Sequence, residues 1–144
     1  MKQSIFLFCT IFLLASCKKS STNSDTANPD YAKAAMAVGT YQISSTTDAN
    51  GNLQVYTTQN SPGNIVVTKT DDTHFSAVLT INNNGTPVIS SHAYVFSNIT
   101  EDGYVHFTEN NSKSTAEYVN GSRGDSFTID ITATPNDIRI ISIK

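Results

Sequence analysis

Few residues in this chain have side chains suited to chemistry. They are two cysteines, three histidines and two pairs of adjacent acids, Asp71-Asp72 and Glu101-Asp102. A zinc site needs three or four ligands converging at about 2–2.2 Å from the ion. The strand pairing that keeps one face apolar sets Phe75, Ala77, Leu79 and Ile81 beside Ile89, Ala93 and Val95. It puts His74 and His92 together on the other face, as diagonal neighbours about 7–8 Å apart. His106 falls several residues along the next hairpin, too far to join them. A partly exposed structural histidine pair is expected, with no metal and no other cofactor. Both acid pairs sit in turns, where solvated side chains are expected rather than acid–base work. The sequence contains no Gly-x-Ser-x-Gly elbow, phosphate-cradling glycine loop or His-Glu-x-x-His helix. No catalytic residues are expected, and the chain reads as a protein that is not an enzyme.

The cysteines point elsewhere. Met1-Lys2 gives a positive start, and Ile5 to Leu14 is an apolar run of ten residues broken only by Cys9 and Thr10. That is the length of a signal-peptide core and far short of the ~20 residues that span a bilayer. Leu14-Ala15-Ser16-Cys17 follows, then Lys18-Lys19. This order resembles the lipobox of bacterial lipoproteins of the Bacteroidota type. The resemblance implies cleavage before Cys17, a diacylglycerol on its sulfur and an acylated new amino terminus. One acyl chain holds a protein only marginally, whereas two or three on one residue anchor it firmly. Residues 1–16 are thus expected to be a signal peptide and Cys17 the membrane attachment. The lysines after Cys17, in place of an acidic run, favour the periplasmic face of the outer membrane over the cell surface.

Removing residues 1–16 from the 144 leaves 128, enough for one domain and one core. With Lys2 gone, the formal charge of −3 becomes −4, so no basic patch is available for nucleic acid. Neither cysteine remains for a disulfide, and stability must come from the core and the sheet ladders. Residues 17–28 are small and polar and read as a tether, reaching at most about 35–40 Å. Asp25-Thr26-Ala27 within it resembles the O-glycosylation motif of exported Bacteroidota proteins, against the plain reading of an unmodified linker. Arg123-Gly124-Asp125 and the Asn-x-Ser/Thr triplets at Asn84, Asn98, Asn110 and Asn120 are explained as turns and strand ends.

Residues 29–144 form the expected domain. A short helix over 28–39 is capped by Asn28, started by Pro29 and Asp30, and stopped by Gly39. From Thr40 onward the apolar period is two, cut by turn signals every 8–12 residues. The runs begin near Tyr41, Leu53, Ile65, Phe75, residue 88, Tyr104, residue 114, Phe127 and residue 138. This predicts an all-β, antiparallel up-and-down meander of about nine strands, within a range of eight to ten. Such a meander closes into a barrel, with a β-sandwich as the alternative.

Val38-Gly39-Thr40-Tyr41 opening the first strand resembles the start of lipocalin-like (calycin-like) barrels, where Gly-x-Trp places an aromatic in the closed end. Tyr41 stands at the tryptophan position, and Arg139 is the candidate for the family's closing arginine. The resemblance implies a small apolar or amphipathic ligand inside the barrel. Tyr41, Phe75, Leu79, Tyr94, Phe107, Tyr118 and Phe127 are the residues expected to line it. The alternative function is a structural envelope lipoprotein that docks a protein or glycan and holds no interior ligand.

Overall fold

The computed structural model describes residues 29–110, 112–132 and 137–144. The expected signal peptide, Cys17, the expected tether with Asp25-Thr26-Ala27, and the expected Asn28 cap lie outside the described residues.

Helix α1 (Pro29–Ala35) begins as its sequence dictates, with Pro29 in the first turn and Asp30 at the positive end. It is shorter than its apolar pattern. After Ala35 the chain tightens into i→i+3 bonds, with the amides of Met36, Ala37 and Val38 donating to the carbonyls of Lys33, Ala34 and Ala35. The tighter turns deliver Gly39 to the sheet.

Nine strands follow: β1 (Gly39–Thr47), β2 (Leu53–Val55), β3 (Gly63–Lys69), β4 (His74–Asn83), β5 (Thr86–Ile99), β6 (Val105–Glu109), β7 (Thr115–Gly121), β8 (Gly124–Ile131) and β9 (Ile138–Ile143). Their ladder runs β1-β3-β4-β5-β6-β7-β8-β9, and β9 pairs back onto β1. Every neighbour is antiparallel. The result is a closed eight-stranded barrel with the lipocalin-like layout, which decides against the sandwich. Strand β2 is an added hairpin arm. It pairs with Ser45–Thr47, beyond the Gly39–Gln42 segment of β1 that pairs with β3. Ser61 Oγ donates to the Ile43 carbonyl at 2.9 Å, where β3 parts from β1. A bulge at Ser44 shifts the β1–β9 register and so bends the strand at the closure.

Alternation fills the interior. Tyr41 and Ile43, Ile65 and Val67, Phe75, Ala77 and Leu79, Phe107, Tyr118, Phe127, Ile129 and Ile140 are all buried. Ring centroids run from Phe75 to Phe107 at 4.9 Å, Phe107 to Phe127 at 6.0 Å and Phe127 to Tyr41 at 5.6 Å. These are stabilising aromatic spacings. Helix α1 closes this end, with Tyr31 edge-on to Phe96 at 5.6 Å. The Tyr41 hydroxyl donates to the Ala37 carbonyl at 2.7 Å. Burial, with the charges of Tyr118 and Asp125, pushes the Tyr41 phenol above its ordinary range. A cation that meets the Tyr41 ring at this end is Lys144, whose Nζ lies 5.8 Å from its centroid. Arg139 does not close the barrel. It is the second residue of β9, at the other end, 3.6 Å from Asp130.

One register differs from the sequence expectation. Phe75 pairs with Tyr94, Ala77 with His92, Leu79 with Ser90 and Ile81 with Val88. The even residues of β5 therefore face inward, and Ile89 is 64% exposed. The cause is the turn. Asn84 (φ 49°) and Gly85 (φ 84°) both take positive φ, and Asn83 pairs with Thr86 across them. A two-residue turn of this kind fixes the register by itself. The one-residue slip sends His92 inward and leaves His74 outside, so the expected pair does not form.

Candidate functional site

The barrel end opposite α1 is open. There the ends of β1, β4 and β8 and the start of β9 surround a cavity of about 320 Å³. Leu79, Ile81, Ile131, Ile138 and Ile140 form its wall, with Tyr56 and Thr46 on one side. The two hydroxyls, Thr46 Oγ1 and Tyr56 OH, are 3.1 Å apart and hydrogen-bonded. An apolar hollow with a few placed polar groups is the usual form of a small-molecule site, and 320 Å³ is at the small end of the range. Asp48 stands at the rim. Hydrogen bonds from Asn52 and Asn50 hold its carboxyl below the usual range, so this loop keeps a negative charge at the mouth.

A hollow of about 370 Å³ also lies near the helix end, bordered by Thr70, Asp71, His74 and Ser76. Its wall is mixed and turn-bound. Asp71 spends its carboxylate on the amides of Thr73 and His74 and on the His74 ring. The mouth is thus the better ligand site.

Of the seven residues expected to line a ligand, Leu79 is in the wall of the mouth. Tyr41, Phe107 and Phe127 are in the aromatic core below it, with Phe75 in contact. Tyr118 is buried, and Phe75 and Tyr94 also border the hollow near the helix. Ile81, Ile131, Ile138, Ile140 and Tyr56 carry the mouth instead. They sit where strands end, and a strand end has no periodic mark in sequence.

No family model matches the chain. No curated protein is significantly similar to it either.

The three histidines each meet a different carboxylate. His74 Nδ1 is 2.9 Å from Asp71, His92 Nδ1 is 2.8 Å from Glu109, and His106 Nδ1 is 3.5 Å from Glu117. Among the described residues no three His, Cys, Asp or Glu converge as a metal site would require. The His92 pairing lies inside the barrel and continues to Ser90, whose Oγ is 2.8 Å from Nε2. Burial alone would raise the Glu109 carboxyl. Hydrogen bonds from Ser112 and His92, and the nearby imidazole, outweigh it and hold the carboxyl below its ordinary range. Glu109 therefore stays a carboxylate beside His92. Sequence reasoning missed this group. The signal available was Ser90-x-His92, two polar residues at the spacing that places them on one strand face.

Proposed function

We propose that this chain is an exported lipoprotein, held by acylated Cys17 on the periplasmic face of the outer membrane. Its barrel takes a small apolar or amphipathic ligand at the open end. The observation that carries the ligand reading is the isoleucine-walled mouth, set against an interior otherwise filled by packed rings. Helix α1, which follows the expected tether in sequence, sits at the closed end, opposite the mouth.

A dansyl-labelled fatty acid is expected to bind saturably to the purified protein. Ile138→Asp puts a charge into the wall at a partly exposed position. It should weaken binding by about tenfold or more while the melting temperature holds. Fluorescence that rises without saturating, in the unaltered protein, would remove the ligand reading. Attachment has its own test. Cells fed an alkynyl palmitate should label the protein, and Cys17→Ser should abolish the label. A label that survives the substitution would remove the anchor.

A specific feature favours a second reading, in which a protein or glycan partner docks. Strand β2 pairs with β1 alone among the described residues. Its Leu53 and Val55 are 63% and 70% exposed. An open edge carrying apolar side chains is a template for strand addition.

A further inference from the structure

No nucleophile with its base is legible in the sequence, but the barrel assembles one. Ser90 Oγ, His92 Nε2 and Nδ1, and Glu109 Oε1 form one line, with both hydrogen bonds at 2.8 Å. The order of atoms matters. A carboxylate on Nδ1 holds the proton there and leaves Nε2 as the acceptor facing the serine hydroxyl. In that arrangement an imidazole can take the hydroxyl proton, and the carboxylate stabilises the imidazolium that forms.

The fold fixes each member. Ser90 and His92 lie two apart on the inner face of β5. Glu109 reaches the same face from β6, where it pairs with Tyr94. The Tyr94 ring stacks on His92 with centroids 6.1 Å apart and limits its rotation. The Glu109 backbone is fixed by its amide donating to the Ser114 carbonyl at 3.1 Å and by the Ser112 amide donating to its carbonyl at 3.5 Å. His92 is 9% exposed, so the base is shielded, while Ser90 is only half-buried. Ser90 pairs directly with Leu79, a wall residue of the mouth. Such partners have Cβ atoms about 4.5–5.5 Å apart on the same face. Ser90 is therefore the cross-strand neighbour of a wall residue, just outside the lining of the mouth itself.

We propose that Ser90 is an acyl-accepting nucleophile, with His92 as its base and Glu109 as the positioning carboxylate. The substrate class is a small ester whose acyl chain occupies the mouth. The proposal rests on the mouth being the ligand site. As Ser90 Oγ bonds to the carbonyl carbon, its proton passes to His92 Nε2. The carbon–oxygen bond to the alcohol then breaks, and the alcohol leaves with that proton. Water, deprotonated by His92, attacks the acyl-serine and releases the acid, and the proton returns to Ser90. The sum is ester plus water giving acid plus alcohol, with no oxidant or reductant.

The test uses the membrane-extracted mature protein, a fluorophosphonate probe and p-nitrophenyl butyrate. A single phosphonyl adduct mapping to Ser90 is expected. Ser90→Ala should abolish the adduct and lower ester turnover by at least about 10²-fold with an unchanged melt. Glu109→Gln should lower kcat by about 10²-fold with KM unchanged, a split that a purely structural glutamate would not produce. No adduct on Ser90, or turnover indifferent to Ser90→Ala, overturns the proposal. Dansyl fatty acid binding on the same sample separates the two readings. Binding with an inert Ser90 leaves the mouth standing and sinks acyl transfer. A labelled Ser90 without fatty acid binding keeps the nucleophile and overturns the mouth as its substrate site.

Discussion

Phe107→Ala is expected to cost the barrel about 3–5 kcal/mol, the usual loss for a fully buried phenylalanine. Phe107 is 1% exposed. Its ring meets Phe75 at 4.9 Å, Phe127 at 6.0 Å and Phe96 at 6.5 Å. The substitution removes transfer energy and several ring contacts together. The hole cannot collapse readily, because β6 is held on both sides, by β5 and β7. The melting temperature should fall by roughly 10–20 °C for a domain of this size. Thermal unfolding followed by circular dichroism measures it. A fall of only a few degrees would mean that the rings are not one packed unit.

Gly63→Ala should cost about 3 kcal/mol although it adds a single methyl, at the upper end of the overpacking range. A Cβ there would overlap the Thr80 carbonyl oxygen and lie 2.8 Å from its carbon and 3.0 Å from the Ile81 Cα. All three are backbone atoms of β4, so no side chain can rotate away. The strands must part where Gly63 pairs with Ile81 and where the Asn82 amide donates to the Pro62 carbonyl at 2.6 Å. Pro62 and Ile81 also line the mouth, so fatty acid binding should weaken along with stability. Gly51 gives the contrast. A Cβ there meets nothing within 4 Å, though its φ is +81°, so Gly51→Ala should cost only the ~1–2 kcal/mol of a left-handed backbone. Urea midpoints rank the two, and equal losses would mean that contact with β4 is not what requires glycine at 63.

Much of this architecture is legible in the amino-acid order. Nine strands appear near their expected places because period-two runs and Gly/Asn/Asp turns mark them independently. The choice of barrel over sandwich is not local. It depends on β1 meeting β9, and nothing near Tyr41 records that Ile143 is the partner of its neighbour Gln42. The β5 register differs from its expectation for another reason. Val88, Ile89, Ala93, Tyr94, Val95 and Phe96 put apolar residues on both faces, so hydrophobicity could not choose. Asn84-Gly85 chose by turn geometry. The Ser90–His92–Glu109 line inherits that choice, and it needs the further shift between Phe96 and Asn98 that sets β6 against β5. The mouth was missed because it belongs to strand ends, where tertiary placement rather than alternation decides what faces in. Lys144 over Tyr41 was invisible for the same reason, since the contact joins the last residue of the chain to its first strand.

The bonding of β9 to β1 also governs when this molecule can come into being. A growing chain that stops before Ile138 leaves β8 and β1 each with an unsatisfied border, and the ring of strands cannot exist as a ring. Strand β9 is what completes it. Closure therefore waits on β9 rather than proceeding strand by strand, and the long-range β1–β9 pairing is the slow contact.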